Sequence, residues 1–254
     1  MANMPGDRQR REREHFDQLA DTHGEIWWGS TTQAGLRRLE RRAAYIKETL
    51  AELEDPSVLE MGCGTGALTK PLLEALPELR LTGYDVSPRT IDVIRERYAF
   101  YPHARFEVAD ATALPYAASS FDAVVGNAIL HHVPLEASLR ECLRVLKPGG
   151  IIWFSEPNML NPQVAIEKNI HFIGKILQNS EDETAFFRWR LAAALRHMGF
   201  ERVSVEPYDF LHPITPAFLI GVIDSLGKFL EHVPLVREIS GSLRIHARKP
   251  HRHA

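Results

Sequence analysis

The stretch Val58-Leu59-Glu60-Met61-Gly62-Cys63-Gly64-Thr65-Gly66 decides the fold. Its first half is a short apolar run of strand type. Its second half places glycines at alternate positions, which lets a backbone approach a ligand that a Cβ would strike. A helix-like run, Ala67-Leu68-Thr69-Lys70-Pro71-Leu72-Leu73, follows at once and offers the free N–H groups of its first turn. Strand, glycine turn and helix form the first unit of a nucleotide-binding α/β fold.

Upstream, Leu36, Leu39, Ala43, Ile46 and Leu50 recur at helical steps, predicting a helix over 32–53 with Arg37, Arg38, Arg41 and Arg42 mostly on its solvated face. Asp55-Pro56 ends it. Before it, 15–30 carries Phe16, Leu19, Ile26, Trp27 and Trp28 and is expected to pack over the sheet edge or the ligand cleft. Met1 to Arg13 reads as a polar tail, as does 246–254.

Downstream, strands and helices alternate. Strands are expected at 80–85, 104–109, 121–127 and 151–156. Helices are expected at 67–76, 88–100 (Ser87 as N-cap, Pro88 at the first position) and 135–146, with Lys147-Pro148-Gly149-Gly150 as a tight turn. This alternation predicts a mostly parallel sheet covered on both faces. Glu60, Asp85, Asp110, Asn127 and Glu156 each end or follow a strand, so they should converge on one rim, where open α/β sheets bind ligands. The last third is less regular. Helices are expected at 162–177, 185–198 and 213–231, with strands starting at 202 and spanning 242–247.

With 254 residues, 44% hydrophobic and 25% charged, the chain fits one α/β domain. Within it, 1–31 is tail and cap, 56–156 the cofactor-binding core, and 158–178 and 213–231 helical additions. A net charge of −3 gives no electrostatic case for nucleic acid. Cys63 and Cys142 provide neither metal spacing nor a disulfide framework, and no apolar run reaches spanning length, so a reducing, cytoplasmic setting without a metal is expected.

Spacing alone leaves two cofactor classes open. Gly62-x-Gly64-x-x-Ala67, with Asp85 downstream, also fits a dinucleotide fingerprint. Glu60 argues otherwise: a carboxylate there is awkward beside a pyrophosphate and favourable beside a cation. The chain resembles the class I S-adenosylmethionine (SAM)-dependent methyltransferases. The resemblance rests on 58–66, Gly83-Tyr84-Asp85-Val86-Ser87, Ala109-Asp110-Ala111-Thr112-Ala113-Leu114-Pro115, Phe121-Asp122-Ala123-Val124-Val125 with Leu130-His131-His132-Val133, and Arg144-Val145-Leu146-Lys147-Pro148-Gly149-Gly150.

The resemblance implies a Rossmann-like seven-stranded sheet with an antiparallel last strand. It implies that Glu60 and the backbone of Gly62, Cys63, Gly64 and Gly66 hold the methionyl end of SAM, and that Asp85 accepts the ribose hydroxyls. Val86 packs on adenine, Asp110 and Ala111 bind its polar edge, and Asn127 and Ala128 line the methionyl side. By the same resemblance His131 and Glu156 form a base pair for an acceptor hydroxyl. The acceptor is a small molecule: a sugar, lipid-linked intermediate, quinone or polyketide. A SAM-binding scaffold and an NAD-dependent oxidoreductase stand as alternatives. The helix at 213–231 departs from many relatives; its apolar face would cap the core, make a dimer contact or rest on a membrane, with capping the default.

Overall fold

The computed structural model describes residues 10, 11, 13, 14, 17, 30–169 and 184–251. The strands are β1 (Ser57–Met61), β2 (Arg80–Asp85), β3 (Ala104–Val108), β4 (Phe121–Asn127), β5 (Leu146–Pro157), β6 (Glu201–Tyr208) and β7 (Ser242–Arg248). The helices are α1 (Gln33–Leu50), α2 (Thr69–Ala75), α3 (Pro88–Arg97), α4 (Leu135–Val145), α5 (Pro162–Asn169), α6 (Arg188–His197) and α7 (Ile220–Leu230).

All seven strands form one sheet in the order β3-β2-β1-β4-β5-β7-β6. β1 to β5 run parallel, and β7 is antiparallel to both neighbours. The expected fold class is therefore observed. β1 lies between β2 and β4, so the chain turns to opposite sides of it, and the ligand crevice of such sheets opens at that reversal.

Successive strand residues point to opposite faces. Leu59, Met61, Val124, Ile152 and Phe154 pack beneath α4 and α6, while Val58, Ala123, Val125, Ile151 and Trp153 pack beneath α1, α2 and α3. These side chains are almost wholly excluded from water, and burying each one larger than alanine contributes about 1.5–3 kcal/mol. Local signals set the ends. Thr32 Oγ1 accepts the Gly35 N–H and starts α1; Ser87 Oγ accepts the Thr90 N–H, with Pro88 at the first helical position, and starts α3. Gly199, at φ +98°, follows the end of α6.

Four expectations need correction. Lys147–Gly150 is not a tight turn but the start of β5, which begins at Leu146 with a register shift against β4; the Gly149 N–H donates to Lys249 O and the Lys249 N–H to Gly150 O, just past the end of β7. Residues 246–248 likewise lie inside the sheet, in β7 between β5 and β6, and Lys249 continues the pairing, so this stretch is not a tail. The arginines of α1 are not mostly solvated. Arg38, Arg41 and Arg42 are sunk against Asp209, Glu231 and Tyr208, and only Arg37 is largely exposed. Finally, 213–231 is a turn, a short 3₁₀ segment and α7, and its apolar face points away from the core. Of the expected cap at 15–30, only Asp17 and Ser30 are described; the Asp17 carboxylate accepts from Ser87 Oγ, and the apolar residues named above lie outside the described residues. The same holds for 170–177 of the helix expected after Pro162.

Candidate active site

A cleft of about 400 Å³ runs along the carboxyl ends of the central strands. Glu60, Asp85, Asp110, Asn127 and Glu156 all line it, so the strand-end convergence expected from the sequence is realised.

The glycine turn forms one wall. Its three glycines have positive φ, at +65°, +50° and +96° for Gly62, Gly64 and Gly66. Their surroundings differ. A Cβ at Gly62 would lie 2.5 Å from Ile129 and one at Gly66 2.5 Å from Tyr98, whereas one at Gly64 would meet nothing within 4 Å. Gly62 and Gly66 therefore serve close packing, and Gly64 presents bare backbone to the cleft. Cys63 is buried in the turn, its N–H bonded to Tyr84 O, and burial pushes its thiol well above the ordinary value.

Asp85 holds the turn from β2. Its Oδ2 accepts the Gly64 N–H and its Oδ1 the Ser87 N–H, both at 3.0 Å. Burial raises the Asp85 carboxyl despite the hydrogen bonds it takes from Ser87, Gly64, Thr90 and Val86. Val86 follows on the cleft wall. Asp110 Oδ1 accepts both the N–H and the hydroxyl of Thr112 at 2.8 Å, which leaves Oδ2 for a ligand; buried Ala111 lies beside it.

Glu60 is buried at the end of β1, where Thr69 Oγ1 donates to its Oε2 at 2.7 Å. Burial pushes its carboxyl up to about 8. Asn127 Oδ1 is buried with no hydrogen-bond partner among the described residues. Ala128 follows at φ +54°, its N–H bonded to Ser155 O.

His131 and Glu156 meet. His131 Nδ1 stands 2.6 Å from Glu156 Oε2, with the two side chains 4% and 0% exposed. Glu156 Oε1 accepts the N–H groups of Ile129 and Leu130, at 2.9 and 2.8 Å. His132 stacks on His131 with ring centroids 4.1 Å apart.

Sequence reasoning missed the arginines at the far end of the cleft. Arg38 Nε donates to Asp209 Oδ2 at 2.7 Å, and Arg42 reaches the same oxygen at 3.3 Å and Ser155 Oγ at 3.1 Å. Burial alone would push the Asp209 carboxyl up, but the two guanidiniums hold it below the ordinary carboxylate value. All three residues line the cleft. A signal was available: Leu39, Arg42 and Ile46 are spaced three and four apart, which puts Arg42 on the buried stripe of α1.

These features suit SAM. Gly64 leaves a cradle that a side chain would fill, Asn127 supplies an orphaned buried acceptor, and Asp85 and Asp110 present carboxylates to the cleft. The Glu60 carboxyl, raised by burial, is one that a nearby cation would ionise.

Comparison with known proteins agrees. Residues 58–150 match the family described as methyltransferase domain. The chain is 29% identical over 165 residues to the demethylmenaquinone methyltransferase of Chlorobaculum parvum, over 63% of this chain and 65% of that one. It therefore spans just under two thirds of that relative's length. It is 30% identical over 191 residues to the 2-phytyl-1,4-naphtoquinone methyltransferase of Thermosynechococcus vestitus, over 71% of this chain and 76% of that one. In fold it matches the Burkholderia thailandensis 1,6-didemethyltoxoflavin-N1-methyltransferase, solved with S-adenosylhomocysteine, at TM-score 0.65 and 18% identity, covering 98% and 92% of the two chains. The chain belongs to the class I SAM-dependent methyltransferases.

Proposed function

We propose that this chain methylates a hydroxyl on a small acceptor with an apolar part, of the quinol type, using His131 as the base and Glu156 to orient and charge-balance it. The observation that carries the reading is the 2.6 Å contact between His131 Nδ1 and Glu156 Oε2 on the wall of the cleft. An ionised Glu156, already accepting two backbone N–H groups, can only accept from the imidazole, so Nδ1 carries the proton and Nε2 keeps the lone pair.

Bound SAM supplies an electrophilic methyl group on a positive sulfonium. In this reading Glu60 and the Gly62–Gly66 backbone hold its methionyl end, Asp85 its ribose, and Val86, Asp110 and Ala111 its adenine. Asn127 Oδ1 and the Ala128 backbone line the methionyl side. His131 Nε2 would take the acceptor's hydroxyl proton, and SAM would supply the methyl group to that oxygen, giving a methyl ether and S-adenosylhomocysteine. Glu156 stabilises the resulting imidazolium. Such base catalysis is worth about 10²–10⁴-fold, on top of positioning.

Two observations support an apolar acceptor with a polar head. Besides His131 the cleft carries Arg38, Arg42 and Asp209, a polar set that suits an oxygenated ring. The two sequence relatives above are named for demethylmenaquinone and for 2-phytyl-1,4-naphtoquinone, which favours a ring compound with an apolar part. The test is transfer of labelled methyl from SAM to a series of alkyl-substituted hydroquinones and naphthols, with the product's methyl located by NMR. A methyl ether supports the reading. A methyl on nitrogen or ring carbon, or SAM binding with no transfer, overturns it.

A further inference from the structure

Two guanidiniums share one counterion in the wall of the cleft. Arg38 Nε and Arg42 Nη2 both donate to Asp209 Oδ2, at 2.7 and 3.3 Å, and the Nη2 of each reaches Ser242 Oγ at 3.3 Å, so the two cations lie side by side. Arg42 Nε donates to the hydroxyls of Ser155 and Tyr208, which carry no charge. The surrounding acids supply no second anion. Glu231 is taken by Arg41, and Glu156, one residue past Ser155, is committed to His131 and two backbone N–H groups. His212, also on the cleft wall, is held below the ordinary histidine value by burial and then by Arg38, as expected beside an uncompensated cation. Among the described residues, the Nη1 groups of Arg38 and Arg42 donate to no protein acceptor. Arg42 is 7% exposed, and a buried charge left short of a partner is costly.

The sheet order says which ligand this spot faces. The residues assigned to SAM stand at or just past the ends of β1 to β4, whereas Ser155, Ser242 and Tyr208 belong to β5, β7 and β6, and Asp209 directly follows β6. His131 and Glu156 lie where the two halves meet, after β4 and on β5. We infer that Arg38 and Arg42 bind a carboxylate carried by the methyl acceptor, which makes the acceptor a hydroxyarene carboxylic acid with an apolar part. Two N–H corners on neighbouring planar forks match the two oxygens of a carboxylate, and its charge completes a pair of cations with a pair of anions. A neutral quinol oxygen would accept a hydrogen bond and leave the charge unbalanced. Naming the occupant as the acceptor rests on the proposed transfer; the anion site itself does not.

The test is calorimetric binding to the full chain saturated with S-adenosylhomocysteine, using alkyl-substituted hydroxybenzoic acids and their matched carboxamides. Labelled-methyl transfer from SAM is measured on the same pairs. The tightest acid should bind at least about tenfold better than its own carboxamide. Arg38→Gln should cut that preference at least about fivefold, and Phe100→Ser, at an exposed site elsewhere, should keep it whole. If Arg38→Gln melts too low to assay, the wild-type ratio of acid to amide decides alone. The inference is overturned by acids that bind no tighter than their amides or by an acid preference that survives Arg38→Gln. It is overturned equally if Arg38→Gln weakens S-adenosylhomocysteine instead, which would give the pair to the methionyl carboxylate. Acids that bind in this way but receive no methyl group would support the anion site and refute the proposed transfer.

Discussion

Gly64→Ala separates ligand binding from folding at a single methyl group. The added Cβ would meet no protein atom within 4 Å, so the cost to the fold is that of placing a Cβ at φ +50°, about 1–2 kcal/mol. For a chain of this size that lowers the melting temperature by roughly 2–8 °C. The ligand loses more, because the methyl fills the cradle. Overpacking at a rigid wall costs about 1–3 kcal/mol, so S-adenosylhomocysteine affinity should fall about 5- to 150-fold. Gly62→Ala and Gly66→Ala behave differently: their Cβ atoms would stand 2.5 Å from Ile129 and Tyr98, so both should lower the melting temperature more than Gly64→Ala does. Calorimetric titration with S-adenosylhomocysteine and thermal melts of the three variants provide the assay. Full affinity in Gly64→Ala would show that the glycine turn is a packing device only and that the cofactor lies elsewhere.

Other consequences follow from named groups. His131→Gln should lower kcat about 10²–10⁴-fold with S-adenosylhomocysteine affinity unchanged, and an unaffected kcat would remove His131 as the base. Glu60, raised by burial to about 8, contributes stability that is fully present below pH 4 and lost as pH rises through 8. The ligand-free protein should therefore melt lower at pH 9 than at pH 6, and Glu60→Gln should abolish that difference. Asp209 runs the other way, its folded value being depressed, so its contribution is present above about pH 4 and lost on acidification below it. Asp209→Ala strands two guanidiniums in a buried site and should cost about 3–5 kcal/mol, read as a fall in denaturation midpoint.

The parts of the fold written in local pattern were legible from the sequence. The acid-ended strands and the glycine turn announced β1 to β5 and the rim where Glu60, Asp85, Asp110, Asn127 and Glu156 meet, because strand periodicity and turn chemistry are short-range. The pairing of His131 with Glu156 was implied by family resemblance and not by spacing, since 25 residues separate them. Arg42 was misassigned because its partner Asp209 lies 167 residues away, and a run of arginines on a helix ordinarily faces water. Likewise, helical spacing over 213–231 identified an apolar face but not its direction, which depends on Arg37 and Arg41 drawing Asp224 and Glu231 inward. The start of β5 at Leu146 was hidden by Pro148 and two glycines, a turn signal overridden by pairing with Lys249 just past the end of β7.

The central claim is that this site moves a methyl group from SAM to an acceptor hydroxyl deprotonated at His131. The most direct measurement is single-turnover transfer of labelled methyl to an alkyl hydroquinone, in wild-type protein and His131→Gln, with the product's methyl position read by NMR. The account predicts a methyl ether formed by the wild type and a rate at least a hundredfold lower in the variant at equal SAM occupancy. Equal rates in both, or a product methylated at carbon or nitrogen, would contradict it.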